Sequence, residues 1–230
     1  MKEGEMRANG ATVAWEADAQ HGRWHDTTTL ARLGLVGPTV FMAVALLLPA
    51  VSEYSLVGDT ISELAIGRFG MMQTITFFVA ALSSLALTVA LQRLLPKTPG
   101  VRIGIGLLAL WSLCLAIDGI FPIDPLIPGI AQSSTSLVHL GAALTAFICV
   151  LLSIFLLSFG FRRIEGWQHF APWSFTLGVL ALAAFFLPSE GGRAGLYQRI
   201  FVGIVMLWLW LVAVRLRNLA AQRSIAGLQR

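Results

Sequence analysis

Six stretches of this chain are apolar over lengths that match a bilayer, and that leaves few folds open: Leu30–Val51, Met71–Leu91, Ile103–Phe121, Leu137–Phe161, Phe170–Pro188 and Ala194–Val214. A helix needs about 20 mostly apolar residues to cross the hydrocarbon. In lipid every backbone N–H and C=O must be paired without help from water, and a helix does this within one segment. Charged residues make up 12% of the chain, against about 25% in a soluble domain. The expected fold is therefore all-α: a polytopic integral membrane protein built as a six-helix transmembrane bundle. Residues 1–29 read as a flexible N-terminal tail, 30–217 as the membrane domain and 218–230 as a basic C-terminal tail.

Lys and Arg set the expected orientation. Arg93, Lys97 and Arg102 surround the second connection, Arg162 and Arg163 the fourth, and Arg215, Arg217, Arg223 and Arg230 follow the last span. The first connection holds only Arg68, and the third holds no Lys or Arg. Both termini are thus expected in the cytoplasm. The net charge of +4 is spread between apolar runs, which gives no nucleic-acid face. Cys114 and Cys149 lie inside apolar runs and make no metal-type spacing, as expected of small buried hydrophobes. Trp167 and Trp173 are expected at the bilayer interface, and Trp111, Trp208 and Trp210 in packing. Gly100 with Gly104, and Ala80 with Ser84, are small residues spaced for close helix contact.

The connections expected outside carry the chemistry. Pro49, Pro122 and Pro188 end the outward-running spans, each followed within a few residues by Glu53, Asp124 or Glu190. Thr60-Ile61-Ser62-Glu63 fits a capping box, with Thr60 as N-cap and Glu63 reaching back to it. A short helix outside the membrane is expected there, stopped by Gly67. Ser133 to Ser136 offer caps for the fourth span. Asp118 closes the third span, His139 opens the fourth and Arg199 opens the sixth. Ionisable groups in spans usually face the protein interior or a watery cavity.

Asp59-Thr60-Ile61-Ser62-Glu63-Leu64, then Asp118-Gly119-Ile120-Phe121-Pro122-Ile123-Asp124, then His139, in this order on six spans, resemble the DUF998 family of bacterial and archaeal membrane proteins. The resemblance covers roughly residues 30–215. It implies a multi-span helical fold in a prokaryotic cytoplasmic (inner) membrane and no particular activity. The family's polar positions map onto Asp59, Ser62, Glu63, Asp118, Asp124 and His139.

With Arg199, whose guanidinium suits phosphate and carboxylate, these residues are the candidate ligand-binding set. The leading expectation is a small polar ligand or lipid headgroup held in an outward-facing polar vestibule. The alternatives are an accessory subunit of a larger membrane complex and a membrane-embedded hydrolase using Ser62, His139 and an Asp. A purely structural pairing of Asp118 with Arg199 or Arg68 stands beside them. Membrane lipids are the expected partners, with no nucleic acid, cofactor or metal and no assigned catalytic residue. Walker, G-x-S-x-G and H-E-x-x-H motifs are absent from the sequence.

Overall fold

A computed structural model describes residues 26–127, 129–188 and 191–228. Most of the expected N-terminal tail, with Trp15, Trp24, His21 and His25, lies outside these residues, as does Glu190. The described chain is helical with short connections: α1 (Asp26–Val51), α2 (Gly70–Leu94), α3 (Pro99–Ile120), α4 (Ser134–Phe161), α5 (Ala171–Phe185) and α6 (Ala194–Leu228). Five of them, all but α5, are long and apolar enough to cross a membrane. At 1.5 Å per residue α5 extends only about 22 Å. The expected boundary at 217 is not a helix end, because α6 runs on to Leu228.

The helices bury small polar residues among the large side chains of the core and also turn many large apolar residues outward. Ser83, Ser84, Ser112, Ser153, Ser158 and Ser174 are buried, while Leu82, Leu113, Leu152 and Leu207 are about half exposed or more. Such an apolar exterior suits a lipid surround. Where tails are as apolar as leucine, close packing and hydrogen bonds hold helices together. The Ser83 hydroxyl is inserted into α1, donating to the Leu33 carbonyl at 2.7 Å and accepting from the Gly37 N–H at 2.9 Å. A β-carbon on Gly37 would lie 2.6 Å from that of Ser83, so glycine permits the approach. Ser153 donates to the Gly104 carbonyl between α4 and α3, Trp111 to Ser84 between α3 and α2, and Trp208 to Ser174 between α6 and α5. Gly104, Ala80 and Ser84 thus serve internal contacts, whereas Gly100 meets nothing.

Consecutive helices from α2 to α6 pack on one another, and α1 touches both α2 and α6, closing the ring. Trp111 and Trp208 are buried, but Trp210 is part-exposed. Trp173 is exposed, whereas Trp167 is fully buried, stacked on Phe161 at 4.3 Å. Trp167 thus packs against an aromatic neighbour inside the fold, and of the pair Trp173 is the exposed one.

Between α1 and α2 the expected helix is a single 3-10 turn, Glu63–Ala65. The capping box forms around it, but Gly67, at φ +86°, reverses the chain before a second turn can grow. This connection, residues 52–69, shares one end of the bundle with residues 121–127, 129–133, 186–188 and 191–193. Call it the loop end; the α2–α3 and α4–α5 connections mark the opposite end.

Candidate functional site

The loop end is organised by the segment from Ser55 to Ile66. Asp59 accepts the Ser55 N–H at 2.6 Å, and the Ser55 hydroxyl accepts the Val57 and Gly58 N–H groups. Next, the Glu63 carboxylate accepts from the Thr60 N–H at 2.8 Å and the Thr60 hydroxyl at 2.9 Å. Its second oxygen accepts the Leu126 N–H at 3.1 Å, which ties this loop to the 121–133 connection.

The start of α6 completes the frame. Its first N–H groups have no partner within the helix. Gly195 and Leu196 therefore donate to the Gly58 and Val57 carbonyls at 3.2 and 2.9 Å. Gln198 accepts the Ile61 N–H at 2.6 Å. The buried Arg199 donates to the carbonyls of Ala45, Leu56 and Asp59 at 3.3, 3.1 and 2.5 Å. Its partners are backbone, so the pairing with Asp118 considered from sequence is not made.

Asp118 instead faces His139, 3.9 Å from Nδ1, beyond hydrogen-bond reach. His139 lies within 2.9 Å of the Phe121 carbonyl and 3.2 Å of the Asp118 carbonyl through Nδ1. Carbonyls only accept, so Nδ1 carries the proton. In the neutral ring Nε2 then accepts from the Ser62 hydroxyl, 3.0 Å away. Phe77 sets its ring edge-on to the imidazole at 5.8 Å. Ser62, His139 and Asp118 thus meet, as a closed clasp joining the first connection to α3 and α4. The cavity beside them, touched by Ser62, Asp118 and Gln198, measures about 20 Å3, room for roughly one water.

Asp124 serves the third connection. It accepts the Ser133 N–H at 2.6 Å, and that bond holds its carboxyl below the usual carboxylate range. Ser133 is the residue that caps α4, accepting from the Ser136 N–H.

A second, larger cavity of about 610 Å3 opens at the same end. Leu48, Val51, Leu64, Ile66 and Phe69 supply apolar wall; Glu53, Asp59 and Arg68 supply charge of both signs. Tyr54 donates to the Ile66 carbonyl at 2.7 Å, clipping together the two limbs of the loop that encloses it. Burial first, and then the negative charge of Asp59 and Glu63, pushes the Tyr54 phenol above its usual range. Arg68 rests its guanidinium over Phe69, 5.3 Å from the ring centre.

The seven sequence candidates gather at this end but not in one chamber. Asp59 lines the larger cavity; Ser62 and Asp118 line the smaller one. Glu63, Asp124, His139 and Arg199 are engaged in bonds that hold the loops together. Glu53, Tyr54 and Arg68 were not in the set. Their signal was a charge at each end of one connection, Glu53 after Pro49 and Arg68 after Gly67. Nothing in a linear reading shows that Tyr54 folds the two ends back on each other.

Comparison with curated proteins and with solved structures returns no match. A family model described as protein of unknown function (DUF998) matches residues 35–215, which take in both cavities and parts of all six helices. With the ordered polar residues on this helical frame, that match settles the relationship: the chain belongs to the DUF998 family of membrane proteins.

Proposed function

We propose that the protein binds the polar head of a small amphiphile or lipid in the open cavity at the loop end. The observation that carries this is the mixed wall. Glu53, Asp59 and Arg68 line it together with apolar side chains, in about 610 Å3. Ligand sites are mostly apolar hollows with a few placed polar groups, of about 300–1,000 Å3. Two carboxylates and one guanidinium match a zwitterion with an ammonium and a phosphate. The Ser62–His139–Asp118 clasp and the Arg199 bonds keep the cavity's rim in place.

The test is thermal unfolding of the purified chain with a phosphoethanolamine-headed lipid. The expected result is stabilisation of the wild type that is lost in the double variant Glu53→Gln, Arg68→Gln. Equal stabilisation of both proteins removes the cavity as the site.

The same reading places the chain in a prokaryotic cytoplasmic membrane with six spans, both termini inside and the loop end outside. The Lys and Arg bias of the opposite-end connections supports it. So does α5, which links the terminal side of α4 to the loop-end start of α6 while packing on both. A cysteine placed at 124 is expected to react with an impermeant reagent on intact cells, and one at 97 is not. The reverse pattern inverts the orientation.

A further inference from the structure

At the opposite end, about 530 Å3 of open groove lies between the end of α2 and the start of α3. Lys97 and Arg102 line it at the top, with Gln92 beside them. Both cations are exposed, and no carboxylate among the described residues forms a salt bridge with either. Neighbouring Arg93 differs, since Asp26 stands 3.9 Å from it. From Leu64 to Ile117 the sequence holds no Asp or Glu, so α2, the connection and α3 as far as Ile117 bring no carboxylate to the groove. The start of α3 adds to it. Thr98 makes no side-chain cap there, and the first-turn N–H groups give a helix its positive end.

Further along α3 the lining turns to small and apolar residues, with Thr88 on the α2 side. Arg102, Gly106 and Ala109 follow at i, i+4 and i+7, hence along one face of α3. A β-carbon on Gly106 would meet nothing within 4 Å. Ile105 and Leu95 flank this strip. From Arg102 to Ala109 it descends about 10 Å along the helix.

We infer that this groove holds an anionic phospholipid, its phosphate diester against Lys97 and Arg102 and an acyl chain laid over Gly106 and Ala109. Charge and shape both point to that occupant. Paired cations at a helix start recognise a phosphate, basic pockets between membrane helices take anionic headgroups, and the strip beneath accommodates a hydrocarbon tail. A free phosphate would use the cations and leave the strip bare. The site shares no residue with the loop-end cavity, so either stands without the other.

The experiment is lipid titration of the full chain in neutral detergent, read by thermal shift and by native mass spectrometry. Phosphatidylglycerol, phosphatidylcholine and inorganic phosphate are the three probes. In the Glu53→Gln, Arg68→Gln background, which removes the loop-end cavity's charges, phosphatidylglycerol is expected to bind and stabilise, and the other two are not. Lys97→Gln with Arg102→Gln is expected to weaken phosphatidylglycerol about 30-fold, roughly a factor of five for each cation. Gly106→Leu, which fills the strip and keeps both charges, is expected to lose the bound lipid while folding normally. Glu53→Gln with Arg68→Gln is expected to leave this response intact. Three results overturn the inference: equal affinity in the wild type and the charge variant, undiminished binding by Gly106→Leu, or inorganic phosphate matching the lipid's effect.

Discussion

Replacing Arg199 by methionine is expected to destabilise the protein by about 3–5 kcal/mol, because several buried acceptors lose their donor at once. Methionine keeps much of the side chain's bulk, so lost packing is minor. What disappears is the set of donors to the Ala45, Leu56 and Asp59 carbonyls. Leaving a buried acceptor without a donor costs about 1–3 kcal/mol, and some of that cost is recovered where the loop reaches water. Ala45 belongs to α1, Leu56 and Asp59 to the first connection, and Arg199 to α6, so the variant releases three parts of the fold together. Arg199→Lys is expected to fall between, because one ammonium cannot reproduce the spread of a guanidinium fork. Equilibrium unfolding in mixed micelles measures the difference. A loss below about 1 kcal/mol would mean that other donors already serve those carbonyls.

Gly195→Ala is expected to cost about 3 kcal/mol, at the upper end of ordinary overpacking. The added β-carbon would stand 2.1 Å from the Asp59 carbonyl oxygen. That neighbour is backbone, held by Arg199 at 2.5 Å, and cannot swing aside as a side chain tip can. The loop must retreat from α6, which also strains the Gly195 N–H bond to Gly58. Gly106→Ala is the control. Its β-carbon meets open space, and helix propensity alone makes alanine better by about 0.8–1.0 kcal/mol. Comparing unfolding midpoints of the two variants separates collision from helix propensity. Similar midpoints would show that the Gly195 contact has room to relax.

Much of the frame was legible because lipid enforces length and composition. Five of the six expected spans correspond to helices long enough to cross, and the Thr60–Glu63 capping box appears as its spacing requires. What sequence could not show involves partners far apart or partners without a side chain. His139 and Ser62 are 77 residues apart, and no local rule joins them. Arg199 reads as an anion ligand by residue type, yet its bonds go to carbonyls that every residue carries. Trp167 sits beside basic residues as an interfacial tryptophan does, and only the fold reveals Phe161 beneath it. The capping box predicts a helix where a single 3-10 turn forms, because a cap marks where a helix starts, not how far it runs.

The strip from Asp59 to Leu64 is one chain thick. Asp59 and Leu64 touch the larger chamber, while Ile61 and Ser62 between them touch the smaller one. A scan of this partition will therefore mix two kinds of failure. A variant at Ser62 that stops binding has not thereby met the ligand, since unfastening the far side also shifts the near one.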